Sequence, residues 1–229
     1  MDIFNLIGNF FIEGGFFMYP VLLVAALGTA IVIERMLYIT RASADAESLW
    51  KQIQAALTDQ RINDAIKLCQ SSQRPIHYVL LAGLRAAKPA PEREPVQRSM
   101  EEAMLEILPP LERRTAYLPI LANVATLLGL LGTIIGVIGA FAAVSAADPS
   151  QKAVLLARGI SVALNMTAFG LMVAVPLILF YAFLQSRTTK IIDSLDQYST
   201  KLTNFFTSRP TGVTPERSPG HVAAVPKSS

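Results

Sequence analysis

The sequence predicts an all-α integral membrane protein, with three transmembrane helices and a cytosolic helical domain into which long second and third helices extend. Three observations lead there. Residues 14–33, 115–147 and 159–186 carry no charged side chain, and about 20 apolar residues suffice for a helix to cross a hydrocarbon core about 30 Å thick. Charged residues make up only 16% of the chain, against roughly 25% in an average soluble domain. Between the spans the apolar residues recur at helical rather than strand spacing.

The chain opens on residues 1–14, where Ile3, Phe4, Leu6, Ile7, Phe10 and Phe11 fit a helix lying in the membrane interface. The alternative is an N-terminal extension of the first span. Asp2 and Glu13 occur there without any Lys or Arg, so no cleavable leader is expected. The first span is placed at 15–37 and the second at 117–146. A short outside loop at 147–152 leads to the third span at 153–186. Twelve of the twenty Lys and Arg residues fall between Arg35 and Arg114, six lie from Arg187 onward, and none precedes the first span. Positive charge stays on the cytosolic side. The expected orientation is therefore a multi-pass protein of the bacterial inner membrane, N-terminus periplasmic and C-terminus cytoplasmic.

The cytosolic domain covers 38–116. Leu49, Trp50, Ile53 and Leu57 mark one amphipathic helix. Asn63 is placed to cap a second with Ala65, Ile66 and Cys69 inward. A third runs from Ile76 to Ala87. Three prolines between 88 and 95 make a loop, and Pro109–Pro110 should break or kink the helix that follows. A helix is expected over 187–207, and 208–229 is too poor in apolar residues to fold.

The composition excludes several functions. One cysteine allows neither an intramolecular disulfide nor a multi-cysteine metal site. His77 has no second ligand at useful spacing and reads as a surface or packing residue. Glu101, Glu102 and Glu106 read as a solvated helix face. The glycines of 129–139 sit in an apolar run without a lysine, which is no phosphate loop. No cofactor, metal, nucleic acid or enzymatic activity is expected.

The second and third spans carry the functional signal. Gly129, Gly132, Gly136 and Gly139 fall within an arc of about 80° on one helix, a stripe that lets helix backbones approach closely in lipid. It is expected to pack helices together in a ring of subunits. Thr126 and Thr133 border the stripe. Ala163, Thr167, Gly170 and Ala174 form a similar arc of about 60° on the third span. A membrane threonine ordinarily bonds back to its own helix. Two near mid-membrane, each beside a small-residue stripe, point to a polar path instead. Asn165 is read as an interhelical hydrogen-bonding residue with Ser161, and Pro176 as a kink. No ionisable residue lies in either span, so a conducting chain of this kind needs a partner to supply the titrating group.

Residues 127–141 (LLGLLGTIIGVIGAF) and 159–176 (GISVALNMTAFGLMVAVP) resemble the MotA/TolQ/ExbB proton-channel family. Residues 13–20 (EGGFFMYP), 33–39 (IERMLYI) and 74–84 (RPIHYVLLAGL) resemble it too. Three spans rather than four match the TolQ/ExbB-like branch. The resemblance implies a homopentamer in the inner membrane, enclosing a dimer of a single-span TolR/ExbD/MotB-like protein whose aspartate carries the proton or sodium ion. It implies that Thr133 and Thr167 face the pore, with Thr126 adding a hydroxyl where many members have proline. Val162 stands where many members have glutamate. Ion flow would then drive work on the cell envelope, in TonB-type transport, Tol-Pal or gliding motility. A non-conducting membrane scaffold for a single-span partner is the alternative.

Overall fold

A computed structural model describes residues 18–43, 45–88 and 92–207. The segments expected to form an interfacial helix (1–14) and an unstructured tail (208–229) lie outside these. Every element among the described residues is helical. In chain order they are α1 (Met18–Ala42), α2 (Ala46–Thr58), α3 (Ile62–Gln70), α4 (Pro75–Ala87), α5 (Arg93–Glu112), α6 (Tyr117–Ser145) and α7 (Lys152–Thr207). Among the described residues three stretches are long and apolar enough to cross a membrane, and they contain α1, α6 and α7. Their surfaces agree: Leu23, Leu27, Ile134, Ile138, Leu164 and Leu179 are among the large apolar side chains left exposed, as befits helices solvated by lipid.

Two cores hold the protomer. In the membrane part, Val21, Val24, Val32 and Ile39 of α1 recur at intervals of three, eight and seven residues and so share one face. They pack against Leu118, Ala122 and Ala125 of α6 and Ala174, Leu177 and Leu184 of α7. In the helical domain, Trp50, Ile53 and Leu57 of α2 join Val79, Leu80 and Leu84 of α4 and Met100 of α5. The far end of α7 completes that core with Leu195, Tyr198, Leu202 and Phe206. At about 1.5 Å per residue, the 56 residues of α7 reach about 84 Å, enough for the bilayer and the whole domain. The spans expected at 153–186 and the helix at 187–207 are thus one element.

Three local expectations need correction. Pro109–Pro110 do not break their helix: α5 runs through them to Glu112 and ends in the turn at 113–116. Prolines free the carbonyls four residues back, here those of Leu105 and Glu106, and both residues are exposed, where water can satisfy them. Asn63 does not cap α3: the helix begins one residue earlier, and Arg61 at the cap position makes no side-chain capping bond. The α1 helix continues to Ala42, past the expected end at 37.

The domain end of α1 carries an interaction the sequence did not announce. Arg35 is buried, and its guanidinium donates to the Pro110 carbonyl through both terminal nitrogens, at 3.1 and 2.8 Å. It also lies over the Tyr38 ring, 4.7 Å from the centroid. Next to it Glu34 pairs with Arg114 at 2.5 Å. The end of α1 is thereby fastened to the junction between α5 and α6. Replacing Arg35 by Ala should lower stability by about 1.5–3 kcal/mol, the range for hydrogen bonds to charged groups. Glu34→Gln should lower it by less than about 1 kcal/mol, because that pair is half exposed. Thermal denaturation of the purified protein checks the ranking, and equal losses would contradict it.

His77 is buried rather than at the surface, with Nδ1 unpartnered. Burial, then the nearby Arg74 charge, holds its imidazole below the ordinary 6.5. The unfolded chain binds that proton more readily, so the stability contributed by the neutral ring is full above about pH 6.5 and is lost as pH falls below it. Wild-type protein should therefore lose more stability than His77→Gln between about pH 7.5 and 5.5. Fluorescence of Trp50, the one tryptophan in the chain, reports the domain's unfolding in denaturant; parallel losses in both proteins would remove His77 as the cause.

Candidate functional site: the seam between α6 and α7

The longest contact in the protomer joins α6 and α7, antiparallel neighbours connected by the turn at 146–151. Small residues set their approach. A Cβ at Gly129 would lie 3.1 Å from the Met166 carbonyl oxygen and 3.3 Å from the Gly170 Cα. One at Gly170 would lie 2.7 Å from the Ala125 carbonyl oxygen. A Cβ at Gly132 would run into the Met166 side chain, and one at Gly136 would stand 2.9 Å from the Ala163 Cβ. At the far end Gly159 accommodates Ala140. Gly139, the last of the stripe, is exposed, and a Cβ there would meet nothing within 4 Å.

These contacts correct one expectation. The partner of Gly129, Gly132 and Gly136 is the chain's own third span, so these glycines close a hairpin within the protomer. Substituting them tests that hairpin before it tests any ring. Sequence reasoning also passed over Gly159 and Ala140, although their small size was the available signal, and over Gly28 of α1, which receives Leu177.

The contacts also fix depth. Gly129 sits opposite Gly170, Gly132 opposite Met166 and Gly136 opposite Ala163, which brings Thr133 level with Met166 and Thr167. Turning about 100° per residue, Thr126 and Thr133 on α6 and Thr167 on α7 fall on the same side of the seam. The other side carries Leu121, Leu128, Phe169 and Val173, which pack against the core that α6 and α7 share with α1. All three threonines are half-buried.

Each hydroxyl finds a backbone acceptor. Thr126 donates to the Ala122 carbonyl at 3.1 Å and Thr133 to the Leu130 carbonyl at 2.6 Å, both on their own helix. Thr167 reaches across the seam and donates to the Gly129 carbonyl at 3.2 Å. That carbonyl is also the helical acceptor of the Thr133 amide, four residues on, so Thr133 and Thr167 meet at one oxygen. Their lone pairs remain available to accept further hydrogen bonds. The bond from Asn165 to Ser161 is not formed in the protomer; Asn165 is half-buried and lies on the side of α7 away from Thr167. Val162, too, lies on a different face from Thr167. Pro176 remains within α7 and frees the Met172 carbonyl. Among the described residues no cluster of three or more His, Cys, Asp or Glu could hold a metal ion.

Fold and seam together define a multi-pass helical membrane protein whose two longest spans form a tightly packed, hydroxyl-edged hairpin. Residues 71–197, more than half of the chain, match the MotA/TolQ/ExbB proton channel family, and the chain belongs to that family. The matched stretch holds α4, α5, α6 and most of α7, and with them the whole seam. No individual curated protein matches the chain. As a member, it is a membrane protein of an ion-channel family.

Proposed function

We propose that the chain is the channel-forming stator subunit of an ion-motive-force-driven complex, of the three-span TolQ/ExbB-like branch. Five copies surround a dimer of a single-span TolR/ExbD-like partner, in the bacterial inner membrane. Proton or sodium flow past the partner's carboxylate is converted into work on the envelope, as in TonB-type transport, Tol-Pal or gliding motility. The observation that carries this reading is the side of the α6–α7 seam away from α1. Three hydroxyls edge it, two of them at one depth, and no ionisable side chain accompanies them in either uncharged stretch. Such a face can solvate a passing cation but cannot carry a proton alone, which is why the partner is required. Co-expression with single-span candidates, followed by purification and native mass spectrometry, tests the assembly. Five copies with two of the partner are expected; a lone protomer as the stable species contradicts it.

A second reading has an observation of its own. Each threonine already donates to a backbone carbonyl, and Thr126 and Thr133 do so within their own helix, as innocent membrane threonines do. A scaffold that holds a partner helix without conducting would look the same in this respect. Flux measurements separate the two.

The orientation proposed is N-terminus periplasmic and C-terminus cytoplasmic, supported by the Lys and Arg distribution. Cysteines introduced at Ser145 and Ser218 should label from outside intact cells at 145 only. The native Cys69 should not interfere, because it is buried and burial pushes its thiol up to about 12, leaving almost no thiolate to react. Labelling at 218 but not 145 would reverse the topology.

A further inference from the structure

A cavity of about 150 Å³ opens where α1 ends and α7 leaves the membrane. It is many times the roughly 10–15 Å³ that one water needs. Ala42, Ser43 and Ala46 line it from the α1–α2 side, and Arg187, Lys190 and Ser194 from α7. No carboxylate is among its lining residues. The nearest acids along the chain are engaged elsewhere or point away: Asp45 accepts from the Ser48 amide at 3.1 Å, Glu47 pairs with Lys51 at 2.7 Å, and Asp193 is exposed and not part of the lining. Arg187 and Lys190 therefore bring two positive charges to one cavity with no ion-pair partner among the described residues.

Its depth is informative. Arg187 is the first charge after the uncharged stretch 159–186, so the cavity sits at the level where hydrocarbon gives way to headgroups. The Arg187 guanidinium lies over the Phe183 ring at 5.2 Å, which holds it at that boundary. On the membrane side the adjoining face of α7 is apolar and exposed at Phe180 and Phe183. Cationic pockets between spans at this level are suited to lipid headgroups.

We propose that this cavity binds the phosphate of an anionic glycerophospholipid, in the leaflet that faces the helical domain, with Arg187 and Lys190 as its cationic partners and the acyl chains along the exposed apolar surface. The Ser43 and Ser194 hydroxyls donate to the carbonyls of Ile39 and Lys190 and so offer acceptor lone pairs to a polar headgroup rather than to the phosphate. The inference needs only that α1 and α7 span the membrane; it does not depend on the channel reading.

Native mass spectrometry of the full-length protein, titrated with phosphatidylglycerol or with phosphatidylcholine of the same acyl chains, tests it. Wild type should prefer phosphatidylglycerol. The double variant Arg187→Gln/Lys190→Gln should bind it about thirty-fold more weakly, a factor of about five for each basic residue near the surface, with phosphatidylcholine binding unchanged. Arg187→Lys/Lys190→Arg keeps both charges and should keep the preference, while Ser194→Leu, which fills the cavity without touching a charge, should lose it. Lys152→Gln/Arg158→Gln, at the other end of α7, should behave as wild type. Equal binding of the two lipids by wild type, or an undiminished preference in either the double-Gln or the Ser194→Leu variant, would overturn the proposal. Displacement of the lipid by millimolar inorganic phosphate would overturn it in favour of a soluble anion.

Discussion

Thr133→Val and Thr167→Val should each leave the complex and its partner assembled yet cut ion-driven work by about ten-fold or more. Valine keeps the shape of threonine and removes only the hydroxyl. A partner carboxylate or a hydrated cation beside the seam then loses a hydrogen-bonding group in a place where unpaired charge is costly. Hydrogen bonds to charged groups contribute about 1.5–3 kcal/mol, and about 1.36 kcal/mol is tenfold in rate. The driving energy is comparable, about 2.3 kcal/mol per charge for 100 mV, so one lost bond can stall a step. The two variants should differ in structure. Thr133→Val removes a bond within α6, whereas Thr167→Val removes the link across the seam to the Gly129 carbonyl. Serine at either position keeps the hydroxyl and should retain most function. Thr40→Val is the control, since Thr40 donates to the Met36 carbonyl at 2.6 Å in the same way but stands at the domain end of α1. Energised cellular work, scored beside partner retention, checks this; wild-type work in both valine variants would remove the hydroxyls from the path.

The largest structural effect is expected at Gly170. A side chain there meets backbone: a Cβ would lie 2.7 Å from the Ala125 carbonyl oxygen and 3.1 Å from the Gly129 Cα. Backbone of a packed helix cannot step aside, so Gly170→Leu must push α6 and α7 apart, at a cost of about 3 kcal/mol or more. Gly132→Ala should cost less, because its closest contact is the terminal methyl of the Met166 side chain, which is flexible, although the Met166 Cβ at 3.0 Å must also give way. Gly139→Ala should not destabilise, because a Cβ there has nothing to meet, and the better helix former should add up to about 1 kcal/mol. Thermal denaturation in detergent ranks the three. A Gly170→Leu protein melting within about 2 °C of wild type would mean that the hairpin is not packed as described.

What could be read from the sequence was whatever depends on composition along one helix. Uncharged length announced α1, α6 and α7. Apolar spacing announced α2, α3 and α4 to within a few residues, and small residues announced that backbones approach closely. What could not be read depends on which surfaces meet. The glycine stripe gives closeness but not the partner, which is Gly170, Met166 and Ala163 of the same chain rather than a neighbour. Arg35 looked like one more basic residue flanking a span. Its burial follows from the Pro110 carbonyl, 75 positions away, and the same contact helps explain why Pro109–Pro110 can sit in a helix without ending it. Thr126 and Thr133 bond back to their own helix, as an isolated threonine does. Thr167 crosses to the neighbouring helix because Gly129 lacks the Cβ that would hold the two backbones apart.

Ion flux through proteoliposomes containing the purified chain together with its single-span partner, under an imposed gradient and membrane potential, tests the central claim most directly. The account predicts flux that requires both proteins and is lost when the hydroxyls of Thr133 and Thr167 are removed. A fully assembled complex that passes neither protons nor sodium ions would contradict it and leave the scaffold.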